Sequence, residues 1–211
     1  MPLVRLENII DACSWALWEI NEEADELMEM LQPPANDLEY FATIRHKHKQ
    51  LEWLASRLAA KKLVENWGGD YQGIVKNIYN KPFLKDLPFC LSLSHTGQYG
   101  AAILHRNQKV GIDIEYNKDK LHKIQHKFLS SDEMDNAEDC VNKLSVYWCA
   151  KEALYKLHIQ KQLSFKQHIR IKPFELQIAG KLCGQIATEN GLEEYKITYR
   201  QFAPLTVAYA Y

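Results

Sequence analysis

Val110-Gly111-Ile112-Asp113-Ile114-Glu115 alternates aliphatic and acidic side chains, a pattern that calls for an extended strand. In a strand, residues two apart share a face, so Ile112 and Ile114 enter an apolar layer while Asp113 and Glu115 leave on the other side. Downstream, Trp148-Cys149-Ala150-Lys151-Glu152-Ala153-Leu154-Tyr155-Lys156 has helical spacing. Residues four apart share a helix face, so Glu152 and Lys156 project together, whereas Lys151 lies about 100° away from Glu152. Where such a helix crosses the strand, three carboxylates and an ammonium meet in one pocket. Carboxylates that close repel unless a divalent cation joins them, and all-oxygen ligation favours Mg²⁺ or Mn²⁺ over zinc. Asp113, Glu115 and Glu152 are then the metal ligands, and Lys156 is the contact for a phosphate. Taken singly, each segment also has an ordinary explanation, as a half-exposed strand and as a solvated helix face.

Composition narrows the function classes. The 211 residues suit one large domain or two halves, and with 46% of them hydrophobic the chain has the material for a packed core. A formal net charge of −1 argues against broad electrostatic binding to nucleic acid or an anionic membrane. No apolar run approaches the roughly twenty residues that span a bilayer, and the N-terminus lacks a basic segment leading into an apolar one, so the expected location is the cytoplasm. Cys13, Cys90, Cys140, Cys149 and Cys183 are scattered without a C-x-x-C pair and read as reduced thiols. Cys149, flanked by Trp148 and Ala150, reads as packing rather than as a nucleophile.

Along the chain, Trp15 to Ile20 reads as a strand, Glu22 to Glu29 as a helix ended by Gln32-Pro33-Pro34, and Asp37 to Glu65 as one long helix. Asn66-Trp67-Gly68-Gly69-Asp70 breaks the chain. Strands are expected at Phe89 to Ser94, Gly100 to His105 and Lys109 to Glu115, the last two joined by Arg106-Asn107-Gln108 as a hairpin. Helices return at Leu121 to Lys127 and Ser131 to His158, with Ser130-Ser131-Asp132-Glu133 as an N-terminal cap and Tyr147, Ala150, Leu154 and Leu157 as the apolar stripe. His168 to Tyr211 reads as strands and hairpins, with Pro204 in the last turn. This order gives an α+β fold of two units in tandem, residues 1–109 and 110–211, the second carrying the acidic strand.

Val110 to Glu115, the upstream Leu93-Ser94-His95-Thr96 and the downstream Trp148 to Lys156, in this order, resemble the 4′-phosphopantetheinyl transferases, most closely the larger, surfactin-synthetase-activating type. The likeness runs from about Tyr79 to the C-terminus. The resemblance implies two pseudo-twofold-related halves, each a long helix on a small antiparallel sheet, with coenzyme A between them. It implies transfer of phosphopantetheine from coenzyme A to a serine of an acyl- or peptidyl-carrier protein, with release of adenosine 3′,5′-bisphosphate. Asp113, Glu115 and Glu152 would hold Mg²⁺, and either Glu152 or a water on the metal would accept the serine proton. Ser94 and His95 would reach the phosphates of coenzyme A, where a serine hydrolase is disfavoured because Ser94 lacks a glycine-flanked elbow.

Tyr79-Asn80-Lys81-Pro82-Phe83 resembles the family's adenine-ribose segment, with Asn80 where glycine is usual and Lys81 as the binding residue. Asn tolerates the left-handed conformation that such a turn needs. The 3′-phosphate needs further cations, and the group Arg45, Lys47, Lys49 and Arg57 lies where the family supplies them, Arg45 and Arg57 foremost. Lys118, Lys120, Lys123 and Lys127, with His122 and His126, form a basic stretch that is either a docking surface for an acidic carrier protein or a solvated segment. A tandem chain is expected to act as a monomer, since short family members assemble to complete a comparable cleft. Two other classes compete: an idle module that binds coenzyme A or a carrier protein without transfer, and an unrelated Mg²⁺-dependent phosphohydrolase or nucleotidyl enzyme.

Overall fold

The computed structural model describes residues 2–78, 80–158, 163–189 and 191–211; Tyr79 of the Tyr79 to Phe83 segment lies outside them. The fold is α+β with antiparallel sheets, and it divides into two compact units, Met1–Val110 and Gly111–Tyr211.

The first unit runs β1 (Leu3–Ile10), β2 (Cys13–Glu19), α1 (Ala24–Leu31), α2 (Ala35–Ala42), α3 (Lys47–Asn66), β3 (Ile74–Lys76), β4 (Pro82–Leu84), β5 (Cys90–Thr96) and β6 (Tyr99–His105). Its main sheet has the order β1-β2-β6-β5, and β3 and β4 form a separate ribbon. Alternation places Trp18, Ala16, Ala102, Leu104, Leu91 and Leu93 on the face that α3 covers with Leu54, Leu58 and Leu63. On that same face Gly100 sits directly opposite His95, and a Cβ at Gly100 would fall 2.4 Å from the Ser56 nitrogen. Only a residue without a side chain lets α3 rest there. Lys61 then donates to the carbonyls of Met30 and Leu31, satisfying the last turn of α1.

The second unit runs β7 (Gly111–Tyr116), α4 (Lys120–Phe128), α5 (Ser131–Ala137), α6 (Val141–Leu157), β8 (Ile169–Ile171), β9 (Ala179–Thr188), β10 (Gly191–Phe202) and β11 (Leu205–Ala210), with sheet order β7-β11-β10-β9-β8. One plan recurs in the two units: a strand (β2, β7), three helices of which the last is long, and later a hairpin (β5–β6, β10–β11) whose second strand pairs back onto the first.

The structure corrects three readings of the sequence. The long helix expected over Asp37 to Glu65 is two helices, because Thr43 donates to the Tyr40 carbonyl and Gln50 to the Ile44 carbonyl, replacing ladder bonds between α2 and α3. The helix expected over Ser131 to His158 is also two, interrupted at Glu138 and Asp139, whose φ values are 53° and 52°. Arg106-Asn107-Gln108 is no hairpin: β6 pairs with β2 and β5, and β7 with β11. The amides of Asn107 and Gln108 turn onto His105 Nδ1, which burial keeps neutral and therefore able to accept. The actual hairpin is β5–β6, turning at Gly97 with φ 52°.

Lys151, a charged residue in the motif helix, is fully buried rather than solvated. Its ammonium donates to the carbonyls of Phe128, Phe165 and Ile169 and to Glu133 Oε2 at 2.7 Å. Glu133, also buried, closes the cap of α5 with Ser130 and accepts the Ile171 amide, so this pair ties α5, α6 and β8 together. Burial pushes the ammonium below the usual lysine range and Glu133 opposes that push. Removing one member of such a pair strands a buried charge, so Lys151→Met is expected to lower stability by about 3–5 kcal/mol in urea denaturation.

Candidate active site

The acidic site of the second unit begins with the contact between α6 and β7. A Cβ at Gly111 would lie 1.9 Å from the Ala153 carbonyl oxygen, so the strand meets the helix backbone directly. The helix thus covers the face of β7 that carries Gly111, Asp113 and Glu115, together with Ala208 and Ala210 opposite them in β11. Ile112 and Ile114 are buried on the other face. The acids therefore emerge beneath the helix, beside Glu152 and Lys156.

Asp113 is 6% exposed, and Lys156 Nζ donates to its Oδ1 at 2.7 Å and to the Ile112 carbonyl at 3.0 Å. Glu115 accepts the Tyr116 amide at 3.0 Å and lies 3.6 Å from Lys118 Nζ. Glu152 is half-buried, and its carboxyl is raised to about 7, first by burial and next by Asp113, with Glu115 adding to the repulsion and Lys156 opposing it. Cys149 packs between these elements, its Sγ 3.6 Å from the Thr206 carbonyl oxygen, and burial pushes its thiol well up, so it is no nucleophile. All five cysteines are free thiols.

Among the described residues, no three His, Cys, Asp or Glu side chains are gathered tightly enough to hold a metal ion as they stand. The chemistry of the donors nonetheless fits a hard divalent cation: they are all carboxylate oxygens, and Asp113 and Glu115 both make ionisation of Glu152 costly. Beside Glu152 opens a cavity of about 540 Å³ lined by Ile124, Lys127, Phe128, Trp148, Ser164 and Phe165. Around it Trp148 meets Phe128 edge-on, and Phe165 packs against Trp148 and Tyr155. Trp148 opens the motif segment but is given no role of its own by the sequence; in the wall it packs against Phe165, which no motif marks.

The first unit holds the other candidates. Ser94 and His95 are consecutive on β5, which runs two residues past the expected end at Ser94, and so face opposite ways, Ser94 buried and His95 exposed on the α3 face. His95 shares a cavity of about 200 Å³ with Tyr40, Trp53, Ser56, Arg57, Lys76, Pro82 and Leu93. Arg57 is buried, its guanidinium 3.6 Å above the Trp53 ring and its Nε 3.9 Å from Asp37 Oδ2. Burial lowers the Arg57 pKa and raises that of Asp37, each opposing the other's shift. Arg45 stands apart, exposed on the connection between α2 and α3.

Lys81 adjoins Pro82 of the cavity wall, with its amide on Asn77 Oδ1 and its ammonium pushed down by burial. Asn80 has φ 62°, the left-handed conformation that an Asn in a glycine position was expected to adopt. Tyr40 and Lys76, absent from the sequence candidates, line the same cavity, with Lys76 Nζ 4.6 Å over the Tyr40 ring. On α4 of the second unit, Lys123 and Lys127 are exposed while Leu121 and Phe128 face the core.

Residues 109–206, somewhat under half of the chain, match the family model of the 4′-phosphopantetheinyl transferase superfamily. The matched stretch begins just before β7, ends in β11 and includes Asp113, Glu115, Glu152 and Lys156. A comparison with curated proteins finds no significant match. No helix among the described residues is long and apolar enough to cross a membrane.

The raised Glu152 carboxyl has a consequence for the metal-free protein. Glu152 would lose its proton near 4.5 in the unfolded chain but only near 7 when folded, so the folded state is favoured below 4.5 and loses that advantage as pH rises through about 7. Glu152→Gln removes the loss. It is expected to stabilise the fold by roughly 1–3 kcal/mol at pH 8 and by little at pH 4, measured by urea denaturation with a chelator present.

Proposed function

We propose that this chain is a 4′-phosphopantetheinyl transferase of the larger, surfactin-synthetase-activating type, moving the phosphopantetheine group of coenzyme A to a serine of an acyl- or peptidyl-carrier protein. The observation that carries the reading is the superfamily match over residues 109–206, because it spans both the acidic face of β7 and the helix that lies on it. The serine oxygen bonds to the β-phosphorus, the bond from that phosphorus to the bridging oxygen breaks, and adenosine 3′,5′-bisphosphate leaves with the electron pair.

Asp113, Glu115 and Glu152 would hold Mg²⁺ or Mn²⁺, which when bound supplies positive charge to the pyrophosphate oxygens. Either Glu152 or a water on the metal would take the serine proton. Lys156 offers its ammonium to the phosphates beside Asp113. In the first unit, His95, Arg57 and the adjoining Lys81 are the proposed phosphate and nucleotide contacts, whereas Ser94 faces the other way and Arg45 stands apart from that cavity. On this reading the protein acts as a monomer in the cytoplasm.

Intact-mass spectrometry of apo carrier proteins incubated with the chain and coenzyme A is the direct test. A gain of one phosphopantetheine group, only with Mg²⁺ present, is the expected result; no gain alongside coenzyme A binding would leave an idle binding module. Glu152→Gln is expected to keep coenzyme A binding while turnover falls about 10²–10⁴-fold.

The exposed lysines of α4 are the proposed docking face for an acidic carrier protein. Replacing Lys123 and Lys127 with Gln should slow carrier capture at low salt and matter little at high salt, since exposed charges act within about 8 Å at physiological ionic strength. Unchanged kcat/KM at low salt would count against that face.

A further inference from the structure

Glu52 takes no part in the chemistry above, yet it is a carboxylate only 3% exposed in the second turn of the first unit's long helix. Burying a charge is costly unless it is paired, and Glu52 is paired three times. Lys49 Nζ lies at 2.5 Å from Oε2, His48 Nε2 at 3.6 Å from Oε1, and His95 Nδ1 at 3.1 Å from Oε2. Two of these partners come from the preceding turn of α3 itself. The third comes from β5, and is the residue that lines the cavity with Arg57, Lys76 and Tyr40.

The approach of Glu52 to His95 is built into the sheet. Gly100, opposite His95, lets the backbone of Ala55 and Ser56 sit on the strand pair, and Glu52 is one helical turn before Ser56. The carboxylate is thereby delivered beside the imidazole. A hydrogen bond at one ring nitrogen sets the tautomer and rotation of a histidine, and a carboxylate favours its charged form.

We propose that Glu52 is a positioning residue for coenzyme A capture: it takes the Nδ1–H of His95 and fixes the ring's tautomer and rotation toward a phosphate in the cavity of Arg57 and Lys76. The role deepens the transferase reading and rests on it. Glu52 touches no substrate atom; it acts through His95.

The test uses the full chain with Glu52→Ala, Glu52→Gln, His95→Ala and the combined Glu52→Ala/His95→Ala variant. Coenzyme A affinity is read by calorimetry, KM and kcat with an apo carrier protein, and the ring state by ¹⁵N imidazole spectra in which His95→Ala identifies the resonance. Glu52→Ala is expected to raise the coenzyme A Kd and KM about tenfold, the loss of one charge-assisted hydrogen bond, with kcat little changed. Glu52→Gln, which keeps an acceptor oxygen, should recover part of that loss, the His95 Nδ1 resonance should move in both, and Glu52→Ala should cost nothing further once His95 is gone.

Equal cost of Glu52→Ala with and without His95, or an unmoved Nδ1 resonance, would overturn the role. If Glu52→Ala does not fold, Glu52→Gln in the wild-type and His95→Ala backgrounds decides the same question. Wild-type chain that binds no coenzyme A and modifies no carrier would overturn the transferase reading and this role together. Wild-type binding and turnover with fully additive losses would remove the role of Glu52 alone.

Discussion

Each unit depends on a long helix lying against strand backbone at a residue without a side chain. At Gly111 the neighbour is the carbonyl of Ala153; at Gly100 it is the backbone of Ala55 and Ser56. Close approach brings short side chains into play: Asp113 can meet Lys156, and Glu52 can meet His95, only because the helix axis is near the sheet. A methyl group at either glycine would have backbone in its way, and backbone in a packed layer cannot swing aside as a side-chain tip can. The two candidate sites are thus by-products of packing before they are chemistry.

Much of this was legible in the sequence because it is local and periodic. The alternation from Ile112 to Glu115 is β7, and the stripe of Tyr147, Ala150, Leu154 and Leu157 is the buried face of α6. The capping box of Ser130 and Glu133 formed as its residues suggest. What could not be read was set by partners far away in the chain or by backbone without a residue signal. Glu138 and Asp139 adopt left-handed conformations that glycine would have announced, and Thr43 ends α2 by bonding back to Tyr40. The pairing of β6 with β2 rather than β7 is a non-local choice, and the polar Arg106 to Gln108 imitates a hairpin turn. The edge strand β1, with Arg5, Glu7 and Asn8 among its apolar residues, gave no clean alternation.

Buried charge was the least legible feature. Lys151 and Glu52 occur in helices rich in charge, where solvation is the ordinary fate, yet both are buried. Glu52 lies between Leu51 and Trp53, a flank that could have marked it, whereas Lys151 lies between Ala150 and Glu152 and carries no such signal. The two differ in what they serve. Lys151 spends its hydrogen bonds on three carbonyls and one acid and so belongs to the framework, whereas Glu52 reaches a histidine at a cavity wall.

The enclosure of Lys151 also makes it a built-in reporter. An amine held by four acceptors with no accessible surface is shielded from acylating reagents and from acetylation for as long as α5, α6 and β8 stay together. Its modification would therefore count openings of the second unit's core, and its labelling rate would follow the free energy of that opening rather than the reactivity of the lysine.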